Sequence, residues 1–164
     1  MLIQGKAWVF GDNIDTDIIH PGPYLLSPIA EAASHAFEAV HPQFSRQVRH
    51  GDILVGGKNF GCGSSRETAV EILKHLGIGC LLAESYARIF FRNAIALGLP
   101  ALVVKDVSRK IASLDEVTVS IDSGEVRVKR TGEVLAGIPL HGKMQEVILA
   151  GGIDGLLKRL KERG

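Results

Sequence analysis

The chain has 164 residues and a formal net charge of +1, a size suited to one domain and a charge that gives no electrostatic case for nucleic acid or an acidic membrane surface. Hydrophobic residues make up 46% and charged residues 23%, ordinary for a globular domain that buries its own core, and no apolar run approaches the roughly 18 residues of a membrane span. Cys62 and Cys80 give neither a disulfide framework nor zinc spacing, and the first residues lack a signal-peptide layout, so a cytoplasmic protein is expected.

The β-branched and aromatic residues near the N-terminus predict a strand over 5–9. Residues 11–25 carry three aspartates, an asparagine and two prolines, which predicts an ordered loop and not a helix. A calcium loop counted from Asp12 would need Gly at position six and Glu at position twelve; Asp17 and Pro23 stand there instead. Asx-turns or a functional loop both remain open for this segment. A weakly amphipathic helix is predicted over 29–40, ended by His41-Pro42, and the polar stretch 43–50 reads as a solvated loop.

Apolar runs at 53–55, 79–83 and 101–104 predict strands buried on both faces. Helical patterns at 68–76 and 86–97 separate them, the first closed by Gly77, the second capped by Ser85 and closed by Gly98. Strand–helix alternation of this kind argues an α/β unit with parallel pairing. Beyond residue 107 the pattern changes to polar–apolar alternation. Residues 116–120 and 124–129 predict a hairpin, 133–136 a third strand, and 140–150 and 153–163 two terminal helices.

Residues 56–67 concentrate the chemistry. Four glycines, two serines, an arginine and a glutamate follow a strand and precede a helix. Glycine permits positive φ and close backbone approach. Ser64 and Ser65 fall where an N-cap is wanted, and Glu67 lies three residues after Ser64, the spacing of a capping box. A helix start offers free N–H groups and partial positive charge, and the Arg66 guanidinium adds a fork for a carboxylate or phosphate. The stretch therefore predicts an anion site containing a hydroxyl. It is not a P-loop, because Cys62 stands where Lys is required, nor a dinucleotide fingerprint, because Arg66 stands where the third Gly is required. The outer glycines of a nucleophile elbow are missing too. No two of the six histidines are four residues apart, so no metal held by this chain alone is expected. Two roles remain for the serines: plain N-caps, or a base whose alkoxide the helix start and Arg66 stabilise.

Four segments resemble the small-subunit family of 3-isopropylmalate dehydratase: Gly11-Asp12-Asn13-Ile14-Asp15-Thr16-Asp17-Ile18-Ile19, Pro21-Gly22-Pro23-Tyr24-Leu25, Gly61-Cys62-Gly63-Ser64-Ser65-Arg66-Glu67, and Glu84-Ser85-Tyr86-Ala87-Arg88-Ile89-Phe90-Phe91-Arg92-Asn93. The resemblance spans nearly the whole chain. It implies a single aconitase-type swivelling β/β/α domain over 1–164, an α/β fold with a mixed sheet core and flanking helices. It also implies a hydro-lyase of leucine biosynthesis that acts on a malate-type dicarboxylate. The family's large subunit holds a [4Fe–4S] cluster through three cysteines, so this chain is expected to bind no cofactor and to need that partner. Carried over by motif, Ser64 is the expected general base, Ser65 and Arg66 bind substrate carboxylate, and Asp17 supports the catalytic geometry. Leu26, in the segment that tunes specificity in the family, favours an isopropyl group over the extra carboxylate of homoaconitate. Homoaconitase-type and dimethylmalate-type dehydratases, and a non-catalytic anion-binding module, are the alternatives.

Overall fold

The computed structural model describes residues 1–164. Strand β1 (Leu2–Val9) is the hinge of the architecture and begins three residues before its predicted start. Its last residues pair parallel with β2 (Ile53–Val55), while its first residues pair antiparallel with β5 (Glu116–Ser120). With β3 (Cys80–Ala83), β4 (Ala101–Val103), β6 (Glu125–Val128) and β7 (Val134–Ala136), these strands form one seven-stranded mixed sheet in the order β4-β3-β2-β1-β5-β6-β7. The three apolar runs form the predicted parallel strands, and the alternating segments form the predicted antiparallel ones.

The sheet curls until its edges meet. The Ile138 N–H donates to Val103 O at 2.9 Å, and Val104 bridges Gly137 in antiparallel fashion. Because side chains alternate along a strand, one set faces the enclosed interior. Ala7, Ile53, Leu82, Leu102, Val119 and Val126 are all inaccessible to solvent there. The opposite set, including Trp8, Leu54, Leu81 and Ala101, packs outward beneath a helical layer. That layer contains α2 (Ile29–Ala33) and the long α4 (Glu67–His75) and α5 (Arg88–Ala96). The C-terminal pair α7 (Gly142–Leu149) and α8 (Ile153–Arg163) follows the antiparallel strands.

Several local expectations yield to tertiary packing. The 11–25 loop contains one helical turn, α1 (Thr16–Ile19), because the Asp15 carboxylate accepts the Ile18 N–H at 2.8 Å and caps it. The predicted 29–40 helix stops at Ala33. Phe37 takes a left-handed conformation (φ 61°), and its N–H goes to Ile18 O at 3.0 Å instead of back along the helix. The payment is aromatic burial: Phe37 stacks on Phe10 at 4.6 Å and meets Phe44 at 4.7 Å. Residues 43–50 are accordingly no solvated loop, since α3 (Phe44–Gln47) exists to seat the fully buried Phe44. A further turn, α6 (Val107–Lys110), lies in a segment with no helical pattern.

Candidate active site

Crossover connections leave loops at the carboxyl edge of parallel strands, where open α/β sheets bind ligands. Here three such loops are laced together. Gly57 N–H donates to Gly11 O at 3.0 Å, Asn13 N–H to Lys58 O at 2.8 Å, Gly61 N–H to Ile14 O at 2.7 Å and Thr16 N–H to Cys62 O at 2.9 Å. On the other side, Glu84 N–H donates to Gly57 O and Ala87 N–H to Phe60 O, each at 3.0 Å. The glycines serve this lacing. A Cβ on Gly57 would lie 2.0 Å from the Asp12 carboxylate, and one on Gly61 (φ 80°) would lie 2.1 Å from the Phe90 ring. The close approach that glycine permits is therefore to the protein's own atoms.

The serines do not cap α4. Its N-cap residue is Arg66, with no side-chain capping bond, and Ser64 and Ser65 stand exposed in the preceding turn. Ser85 does not cap α5 either; its hydroxyl accepts the Asn59 N–H at 2.9 Å and braces the glycine loop. The serines are thus released from the structural role that competes most directly with chemistry.

Ser64, Ser65 and Arg66 line one cavity of about 390 Å³, together with Thr16, Gly61, Gly63, Ala87, Arg88, Ile89 and Phe90. Buried Thr16 donates its hydroxyl proton to Ser64 O at 3.0 Å, and its oxygen lies 3.4 Å from Ser64 Oγ. With that proton committed, the Ser64 hydroxyl is the donor across the wider gap. Asp17 is drawn in through Arg66, whose Nη1 donates to Asp17 Oδ1 at 2.8 Å. The guanidinium is 27% exposed and the carboxylate 67%, so the pair orients Arg66 more than it stabilises the fold. Leu26 is not brought to this cavity: it is fully exposed at the tip of the 21–27 turn. The base of that turn is fastened. Buried His20 donates from Nε2 to Tyr24 O and accepts at Nδ1 from Thr68 Oγ1 in the first turn of α4, both at 2.9 Å. The donor assignment follows from the carbonyl, which can only accept.

Thr16 and Arg88 have no assigned role in the sequence reading. Both lie inside the motifs, Thr16 beside Asp17 and Arg88 at the first helical position of α5, but neither position alone points to the Ser64 turn. Two roomier depressions, of about 620 and 710 Å³, lack the serine–arginine constellation. In the first, the Asp52 carboxylate is already satisfied by Trp8 Nε1, Arg49 N–H and Lys6 N–H.

No three His, Cys, Asp or Glu side chains gather in a metal-binding group. Asp15 and Asp17, the residues that could mimic a calcium loop counted from Asp12, accept the Ile18 N–H and the Arg66 guanidinium, and Asp12 accepts the Lys58 N–H. An iron–sulfur cluster requires several cysteine thiolates. Cys80 is sealed in the sheet interior, where desolvation pushes its thiol far above the ordinary range, and Cys62 is half-buried in the glycine loop. The donors in this chain do not fit such a cluster.

The family model for the aconitase C-terminal domain matches residues 29–106. The isopropylmalate/citramalate isomerase small subunit of Methanocaldococcus jannaschii is 48% identical over 159 residues, covering 96% of this chain and 95% of that one. The methanogen homoaconitase small subunit of Methanothermobacter thermautotrophicus is 46% identical over 154 residues, covering 93% and 88%. A crystal structure of 3-isopropylmalate dehydratase (LeuD) from Methanocaldococcus jannaschii superimposes with a TM-score of 0.93 at 39% identity, covering all of both chains. Fold and full-length similarity together define a small subunit of the aconitase superfamily. The chain belongs to the 3-isopropylmalate dehydratase small-subunit family.

Proposed function

We propose that this chain, acting as one swivelling domain with a large subunit, interconverts 2-isopropylmalate and 3-isopropylmalate by dehydration and rehydration in cytoplasmic leucine biosynthesis. The observation that carries the reading is the convergence of Ser64, Ser65, Arg66 and Thr16 on one cavity at the start of α4. Ser64 acts as the base that removes a proton from the carbon beside a substrate carboxylate. Its alkoxide is favoured by the free N–H groups and positive end of α4 and by the adjacent guanidinium. Arg66 and Ser65 bind that carboxylate, and Asp17 sets the plane of the Arg66 fork. Because the cysteines here do not fit a cluster, the [4Fe–4S] group is assigned to the large subunit, and this chain contributes proton transfer and anion binding.

Relatives named for isopropylmalate/citramalate and for homoaconitase stand at nearly equal identity, so overall similarity does not select the substrate. We assign that choice to Leu26, which lies outside the cavity of this chain at the free tip of a turn: an apolar side chain there suits an isopropyl group better than a third carboxylate. The test is anaerobic reconstitution with the large subunit and turnover of 3-isopropylmalate, dimethylmalate and homoaconitate. Isopropylmalate is expected to be preferred, and Leu26→Arg to shift kcat/KM about tenfold toward the tricarboxylate. A reconstituted complex that turns over none of these acids, while the isolated chain binds carboxylates tightly, would favour a non-catalytic anion-binding module.

A further inference from the structure

We infer that Arg88 is a second carboxylate-binding residue of the Ser64 cavity, forming with Arg66 a two-cation clamp for a dicarboxylate. The inference rests on the reading of this cavity as a malate-type substrate site. Arg66 is the N-cap residue of α4 and Arg88 the first residue of α5, so one guanidinium stands on each wall. The lining contains these two arginines and no aspartate or glutamate. Arg66 already has a carboxylate partner in Asp17. Arg88 pairs with no carboxylate of this chain, which leaves its whole fork available. A dianion bound through Arg66 alone would leave its second carboxylate without a counter-charge and forgo the charge-assisted hydrogen bonds that a second guanidinium can make.

The position of Arg88 is built, not incidental. The Ala87 N–H donates to Phe60 O at 3.0 Å, the Phe60 and Phe90 rings meet edge to face at 5.5 Å, and Gly61 lies against Phe90 with no room for a Cβ. The start of α5 is therefore locked to the loop that carries Ser64. Ile89, half-exposed in the same cavity, sets an apolar surface beside the second cation. Cation and apolar surface side by side match a dicarboxylate carrying an alkyl branch.

The experiment uses the assembled two-subunit enzyme and compares wild type, Arg88→Gln and Arg88→Lys. Steady-state kcat and KM are measured for 3-isopropylmalate, with inhibition constants for 2-isopropylsuccinate and for each of its two monoamides. Arg88→Gln is expected to raise KM and the dicarboxylate inhibition constant about 10- to 100-fold, with kcat changed less than about threefold. Arg88→Lys restores part of the loss, since a point charge replaces the fork. One monoamide binds wild type and Arg88→Gln alike, because the carboxylate that Arg88 would hold is already absent. Unchanged KM and inhibition constants in an active Arg88→Gln enzyme would overturn the inference and leave the proposed function standing. A fall in kcat with unaltered inhibitor binding would also overturn it. A wild-type complex that binds the succinate but turns over no malate removes the proposed function, while the inhibitor series still reports on Arg88.

Discussion

The two halves of the sheet bury their interiors equally well, yet only one carries a site. Val119 and Val126 in the antiparallel half are as inaccessible as Ile53 and Leu82 in the parallel half. The difference lies in the connections. Antiparallel neighbours β5, β6 and β7 are joined by short turns at 121–124 and 129–133 that are consumed in reversing the chain. The parallel strands need crossovers, and each crossover leaves a loop at the carboxyl edge. Charge follows the same division. In the antiparallel half Lys129 pairs with Glu116, Lys110 with Glu133 and Arg130 with Asp115. At the parallel edge Arg66 pairs with Asp17 and Arg109 with Asp106, while Arg88 has no carboxylate partner in this chain. A surface whose charges are satisfied internally makes no demand on a ligand; one that keeps a cation in reserve does.

The largest effect that this contrast predicts is at Ser64. Ser64→Ala is expected to lower kcat of the assembled enzyme about 10³-fold while leaving thermal stability unchanged, because the side chain is exposed and caps nothing. Substantial activity in that variant would remove Ser64 as the base. Next is the lacing of the loops. Gly61→Ala must strain a positive φ and displace Phe90, which is expected to cost about 3 kcal/mol in denaturant unfolding and to impair activity with it. Its counterpart in the antiparallel half is Gly132, also at positive φ but with open space around it.

Between these lies Asp115. It accepts Arg130 Nε at 2.7 Å and Nη2 at 3.1 Å, and the Ala112 N–H at 2.8 Å. The Arg130 guanidinium, helped by that N–H, holds its carboxyl below the usual carboxylate range. A depressed folded value means that the stabilisation is present above the unfolded carboxylate value and is lost as pH falls through the folded one. Asp115→Asn is expected to cost about 2 kcal/mol at neutral pH, to flatten the acid side of the stability curve, and to leave turnover unchanged. Urea titrations at about pH 7 and about pH 3 check the sign. A loss of activity in the folded variant would mean that the halves are coupled functionally. The smallest effect is Gly132→Ala, expected to cost about 1 kcal/mol and no activity. If it matched Gly61→Ala, the lacing would have no special weight.

Much of the site was legible before the fold was known. Ser64, Ser65 and Arg66 are adjacent in sequence, so a short motif carries them together. Thr16 and Arg88 were not legible as site residues because each reaches the cavity from a different crossover loop. Leu26 was readable as an apolar choice, but not as an exposed tip held away from the cavity.

What the sequence determined by itself is local. Apolar runs specify strands buried on both faces, alternation specifies half-buried ones, and glycines mark where the chain must turn or approach closely. Tertiary structure decided the rest. It ended the predicted 29–40 helix at Ala33 and turned the chain at Phe37, because packing three aromatic rings outweighed continuing a weak helix. It let β1 pair parallel on one side and antiparallel on the other, and closed the curl through Ile138, pairings between residues far apart in the chain. It also took the capping role from Ser64 and Ser65 by placing Arg66 at the N-cap of α4 and leaving both serines exposed just before it.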